Sequence, residues 1–248
     1  MAAVQKVWQG ITPVAAGQVI SQSFSPIVAG DYTVIIGAGG ALRNENTERD
    51  PGHPGEQSQV KLGSTFFVRA GPGGGGGKGD NDAVARNGQS QLGSGGGGGN
   101  GNGTGGIPTG SPSDRFTEIR SNAGGDAVPG GNRGSGGGGG AGAAGQDGTT
   151  SKSGDGGAGT NEYSAWATAT STGVSGYYAG GSGGAPYNNA NQAGLGGAGG
   201  GGAGALSASP GNGAANTGSA GGGYQGPRYN GIDGSAGGSG IVIIRYAV

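Results

Sequence analysis

Glycine runs at 73–77, 95–99, 136–140, 199–202 and 221–223 constrain this chain more than any other feature. A residue without a Cβ adds nothing to a hydrophobic core and loses more conformational entropy on ordering than any other. Glycine supplies 71 of the 248 residues, about four times the usual ~7%. Such composition commonly marks a flexible linker or disorder. Collagen is excluded, because no strict glycine at every third position runs through the chain.

The large apolar residues divide the chain into two regimes. Leu, Ile, Val and Phe number 18 in residues 1–70, 5 in residues 241–248 and only 10 in the 170 residues between. Glycine runs the other way, with 9, 0 and 62. The ends therefore read as ordinary β structure. Residues 31–36 (DYTVII) read as a strand that carries a continuous Val34-Ile35-Ile36 run and stops at Gly37. Residues 60–69 (VKLGSTFFVR) alternate, which predicts one strand with Val60, Leu62, Ser64, Phe66 and Val68 on one face. Residues 241–246 (IVIIRY) form the closing strand, and 18–24 is a weaker fourth candidate. A sheet requires the last strand to return to the first, so the glycine-rich middle is a closed excursion rather than a linker. In the first dozen residues, Val4, Val7, Trp8 and Ile11 have the spacing of one helix face, limited to about two turns by Gly10 and Pro13. Two readings of that apolar terminus stand side by side: attachment to a partner protein, or packing on the chain's own β structure.

An ordered middle of this composition points to polyproline-II-like glycine helices. These have about three residues per turn and no internal hydrogen bonds. Their backbone groups must bond neighbouring helices, and the absence of Cβ atoms lets those neighbours approach. The expected fold is mostly β or irregular with almost no α-helix. A small β-module made by N-terminal strands plus the C-terminal strand carries a large inserted bundle of polyglycine-II-like helices. The expected segments are 1–29 for attachment, 30–70 for the β-module, 71–240 for the glycine-rich domain and 241–248 for the closing strand.

Several functions are disfavoured. With 13 basic and 14 acidic residues there is no electrostatic case for binding nucleic acid or an anionic membrane. No stretch approaches the ~20 apolar residues of a membrane span. MAAVQKVWQG lacks the pattern of a secretory signal, which places assembly in a cytoplasm. The absence of cysteine removes thiolate chemistry, and the single histidine, His53, sits in a turn-like PGHPG. GxGxxG recurs at the rate glycine abundance produces by chance. GGGGGK ending at Lys78 fails as a phosphate loop, since Pro72 and Gly79 occupy required Gly and Ser/Thr positions. Gly180 to Gly184 matches GxSxG in letters alone. Asp80-Asn81-Asp82 lacks the Gly and Glu of a calcium loop and reads as a solvated turn. No catalytic residue, metal site or cofactor is expected, and the chain does not read as an enzyme.

The large side chains of the middle are more informative. Tyr163, Trp166, Tyr177, Tyr178, Tyr187, Tyr224 and Tyr229 stand among tiny neighbours. Each either plugs the end of the lattice or offers a rigid amphipathic binding surface. The mixed segment 114–120 (DRFTEIR), with Asp114, Arg115, Phe116 and Arg120, reads as a surface loop or short edge strand.

AGDYTVIIGAGG (29–40), GSTFFVRAGPGGGGG (63–77), the repeated GGGGG blocks and the ending GGSGIVIIRY (237–246) together resemble the glycine-rich domains of bacteriophage and prophage tail proteins. A looser similarity links the chain to the tail-fibre tip adhesins of T-even-like phages, which carry a polyglycine-II sandwich with receptor-binding loops. The resemblance implies a virion tail protein assembled in the host cytoplasm. Its partners would be a larger phage fibre or tail protein and a host surface protein or glycan, with a homo-oligomer left open. Within that role, the large and charged side chains of the segments between glycine runs make Asp114, Arg115, Phe116, Arg120, Tyr163, Trp166, Tyr177, Tyr178 and Tyr187 the candidate receptor contacts, and the helix-like spacing makes Val4, Val7, Trp8 and Ile11 the candidate attachment residues. A non-adhesive connector is the alternative in the same class. An ice-binding protein is the alternative in another, although GTTSKSG and WATATST are short and irregular.

Overall fold

The computed structural model describes residues 8–11, 17–24, 29–42, 52–74, 76, 88, 93–99, 102–109, 118–130, 134–186, 192–206, 208–224 and 235–245. In it the C-terminal strand returns to the N-terminal part of the chain, as sheet closure requires. Strands β1 (Trp8–Ile11), β2 (Val19–Phe24), β6 (Glu118–Arg120) and β7 (Ile243–Arg245) form an antiparallel sheet in the order β6-β2-β1-β7. Strands β3 (Tyr32–Ile35), β4 (Ser58–Leu62) and β5 (Thr65–Ala70) form a second antiparallel sheet in sequence order.

Two expectations are corrected here. Residues 8–11 are a strand, not part of a helix: Trp8 pairs with Phe24 and Ile11 with both Ser21 and Ile243. A two-turn helix cannot sustain itself, and bonds to strands on both sides outweigh the local spacing. Val4 and Val7 lie outside the described residues. The expected single strand over 60–69 is a hairpin that turns at Gly63 and Ser64, with Leu62 opposite Thr65. Gly63 adopts φ +57, the left-handed region a tight turn needs. Its alternation was legible, but a glycine followed by a serine is also a turn signal.

Adjacent residues of a strand face opposite ways, and β2 uses this to join two cores. Ile20 packs with Val60, Val68 and Ala70 of the second sheet, with Tyr32 and Val242 beside them. Its neighbour Val19 faces the glycine-rich region, packing with Ile243, Ala141, Tyr163, Ala167, Tyr178 and Ala179. Strand β2 thus packs the hairpin sheet on one face and the end of the glycine bundle on the other, while Gly37 and Gly40 after β3 accept N–H groups of the lattice directly.

The bundle shows its three-residue repeat in its hydrogen bonds. Along 134–141, Gly134, Gly137 and Gly140 donate to Thr149, Gln146 and Ala143. Gly136 and Gly139 donate to Gly98 and Gly95, while Gly138 and Ala141 donate to Ser182 and Ala179. Three sets of N–H groups, each spaced by three residues, therefore serve three different neighbours, as a three-fold helix requires. Two further neighbours donate into the same pass: Gly125 to Gly137, and Gly154 and Gly157 to Ser135 and Gly138. The spacing recurs outward. Ser153, Gly156 and Gly159 donate to Gln192, Leu195 and Ala198, and Ala220 and Gly223 donate to Gly180 and Gly183. Positive φ is absent from 95–99 and 136–140, so these runs have the left-handed polyproline-II hand.

Glycine is required here for close approach. A Cβ on Gly136 would overlap the Gly125 carbonyl oxygen, and one on Gly137 the Asp155 carbonyl oxygen. Buried hydroxyls join the lattice to the sheets. Ser94 Oγ lies 2.5 Å from the Gly17 oxygen and 3.1 Å from the Gly140 oxygen, and accepts the Asn122 N–H at 3.0 Å. Gln18, beside β2, accepts the Gly71 N–H at 2.6 Å.

Candidate functional site

The antiparallel passes give the bundle two ends. One is the sheet end, where Ala141 and Ala179 enter the apolar cluster and Thr160 bridges Tyr178. At the other, passes end at Gly99, Val128, Thr149, Ala185, Ala205 and Gly223 and resume at Gly103, Gly134, Lys152, Gln192, Gly211 and Ser235. The seven steps from Gly134 to Ala141, at ~3.1 Å each, separate the two ends by roughly 22 Å.

Most of the candidate aromatics gather at the sheet end. The excursion between Thr160 and Tyr178 carries the helix α1 (Ser164–Thr170), whose seven residues are too few to stand alone. Ala167 is its buried residue, and Tyr163 and Trp166 meet edge to face at 6.0 Å and 66°. Tyr163 is 8% exposed and Tyr178 0%, so their rings are core rather than contact surface. Tyr178 Oη bonds Thr172 Oγ1 at 2.6 Å, which satisfies a hydroxyl that would otherwise be costly to bury. Tyr177 is partly exposed and accepts a bond from Asn161 Nδ2 at 3.3 Å. Arg120, on β6, pairs with Glu162 at 2.5 Å and ties the middle sheet to the start of α1. Both side chains of that pair are more than a third exposed, so its contribution is small, about 0–1 kcal/mol. The assignment of Tyr163 and Tyr178 to a receptor surface is therefore corrected: burying Val19 and Ile243 consumes them. Asp114, Arg115, Phe116 and Tyr187 lie outside the described residues.

The loop end carries a different set of groups. Thr149 Oγ1 accepts the Lys152 N–H at 2.9 Å and forms a tight turn that leaves Thr150 and Ser151 exposed. Asn102, at φ 84, accepts the Gly130 N–H at 2.8 Å and links two pass ends. Tyr224 is partly buried and bridges Ala205. Sequence reasoning passed over this end because its polar residues are small and its turns resemble linker. The signal was the concentration of Thr, Ser and Lys in GTTSKSGD between glycine passes.

Where the lattice meets solvent, carboxylates replace absent carbonyl partners. Asp126 Oδ1 accepts from Gly105, Asp147 Oδ1 from Asp126 and Asp155 Oδ1 from Leu195, each at 2.7 Å. Burial raises the Asp155 pKa, but the Lys152 ammonium at 2.7 Å and the Leu195 N–H outweigh it and hold the carboxyl below its ordinary range. A depressed folded-state pKa means the unfolded chain binds the proton first. The stabilisation is complete above the ordinary carboxylate range and is lost as pH falls through the folded-state pKa. The melting-temperature difference between wild type and Asp155→Asn, measured from about pH 6 downward, should shrink and vanish in acid.

Among the described residues, no group of three or more His, Asp or Glu side chains is placed to hold a metal ion. No helix among them is long and apolar enough to cross a membrane. A search of curated proteins and a search of solved structures each found no match. A family model described as a glycine-rich domain matches residues 12–247, which takes in β2 to β7, the whole lattice and both of its ends. By that match the chain belongs to the glycine-rich domain family.

Proposed function

We propose that this protein is a structural component of a bacteriophage-type tail, a tail-fibre or tail-tip protein, and that the loop end of its glycine lattice contacts the host surface. The observation that carries this reading is the segregation of the molecule. The apolar clusters and most of the described aromatics of the glycine-rich region occupy one end, and short turns with exposed polar side chains occupy the other. A rigid lattice that holds several short turns side by side is a scaffold for a composite binding surface. The sheet end then faces a larger tail protein, and the loop end a host surface protein or glycan. The candidate contacts shift accordingly from the buried Tyr163 and Tyr178 to Thr150, Ser151 and their neighbours at the loop end.

Ice binding receives no support from the outward rows. Exposed rows at three-residue spacing among the described residues include Gln192, Leu195 and Ala198 on one pass, and Ala144, Asp147 and Thr150 on another. These rows are chemically mixed and offer no repeated hydroxyl or methyl ladder.

The test is cell adsorption by purified protein. Thr150→Arg and Ala208→Arg each place a long side chain at an exposed loop-end position. Each should lower adsorption about tenfold or more, the effect of a steric clash at a binding surface, with a melting curve like that of wild type. If wild type adsorbs to no cell, or if both variants adsorb normally, the adhesive role is withdrawn in favour of a connector.

A further inference from the structure

The outer face of the hairpin sheet carries a basic and aromatic cluster. Residues opposite one another across a sheet share a face. Thr33 lies opposite Lys61, Lys61 opposite Phe66, and Gln59 opposite Arg69. The Lys61–Phe66 pair follows a register shift after Val60, so Phe66 and Arg69 project on the same side as Lys61. Val60 and Val68 face the other way, into the core with Ile20. The Phe66 ring, 43% exposed, holds Lys61 Nζ at 5.1 Å and the Arg69 guanidinium at 5.2 Å from its centroid. Those distances are within cation–π range, so both cations are drawn to an apolar centre rather than spread into solvent. The ion pairs among the described residues are Arg120–Glu162 and Lys152–Asp155, and neither Lys61 nor Arg69 has a carboxylate partner there.

We propose that this face, with Lys61, Phe66 and Arg69 at its centre, docks an acidic protein surface on the larger tail component. The inference deepens the tail-protein reading and rests on it. Charge complementarity identifies the occupant. Two cations flanking an exposed ring fit two carboxylates around an apolar side chain, an arrangement in which Arg and aromatic residues commonly dominate binding energy. Thr33 and Ile35 lie on the same face across β4, opposite Lys61 and Gln59, and extend it beyond the cluster.

The experiment adds full-length protein to purified tail particles lacking it and measures the particle-bound fraction at two salt concentrations. Lys61→Glu with Arg69→Glu should lower binding about tenfold or more, and Phe66→Ala should lower it with no change in charge. Wild-type binding should weaken as salt rises. Arg245→Glu, an equal type of charge change on β7, serves as control and should bind as wild type. Melting curves on each variant separate lost binding from lost folding. If wild type binds particles and the double reversal binds equally well, the docking inference fails while the tail-protein reading stands. If wild type binds no particle, both fall. If the double reversal binds particles but no longer adsorbs to cells, the face takes an anionic surface glycan and the inference is overturned.

Discussion

Replacing Gly136 with alanine should destabilise the protein by about 3 kcal/mol or more, the upper range for overpacking a close-packed interior. In a chain of this size that corresponds to a melting temperature lower by roughly 6–12 °C. The added methyl would overlap the Gly125 carbonyl oxygen. Gly136 cannot withdraw, because its own N–H is bonded to Gly98 at 2.9 Å and its neighbours Gly137 and Gly138 are bonded to Gln146 and Ser182. Gly76 is the internal control. Among the described residues, a Cβ there meets only the Gly97 oxygen at 3.9 Å, and its φ is not positive. Gly76→Ala should be neutral or stabilise by up to about 1 kcal/mol through the unfolded chain. A linker would not distinguish the two substitutions. Thermal melts of both variants check the expectation, and equal melting temperatures would contradict it.

Tyr178→Ala should cost about 4 kcal/mol, in the range for truncating a buried aromatic ring. Tyr178→Phe should cost only about 1 kcal/mol, the net worth of the hydroxyl's bond to Thr172. The ring fills the cluster that joins Val19 and Ile243 to Ala141 and Ala167, so its loss opens the seam between sheet and lattice. Ala179 beside it holds φ +60, a strained setting for a residue with a Cβ, and its methyl is buried in the same cluster. A lattice otherwise built from glycine accepts that strain where a methyl closes the seam. Adsorption and stability measured together separate the two roles of an aromatic. Tyr178→Ala should lose adsorption only in proportion to unfolding, whereas Thr150→Arg should lose it while folded.

The architecture was largely legible because glycine and the large apolar residues divide the chain so sharply. The apolar ending signalled a strand that returns to the N-terminal part of the chain, and the glycine runs signalled the three-residue hydrogen-bond repeat, but residues 243–245 pair with Gln9–Ile11 rather than with the strands of 30–70. Which aromatics plug the lattice and which stay exposed was not legible, because Tyr163, Trp166 and Tyr178 stand in a stretch of sequence with almost no local core. Their burial depends on Val19 and Ile243, which are far away in sequence and reach them only after the passes have assembled. The strand at 8–11 was missed for a related reason. Four residues with a helical spacing carry less information than two partner strands that sit beside them in space. The loop end was hidden because turns made of Thr, Ser, Asn and Gly look alike whether they are flexible or held by a lattice.

The central claim is that the glycine-rich middle is an ordered, hydrogen-bonded lattice, and amide hydrogen exchange at Gly136, Gly137, Gly138, Gly139 and Gly140 tests it most directly. Each of these N–H groups donates to a carbonyl of another pass at 2.8–2.9 Å, and each residue is buried. They should exchange only through global unfolding, at least about a thousandfold more slowly than an unstructured chain, and Gly136→Ala should accelerate all of them together. Exchange of these amides at the rate of an unstructured peptide, in protein whose β-strand amides are protected, would contradict the account.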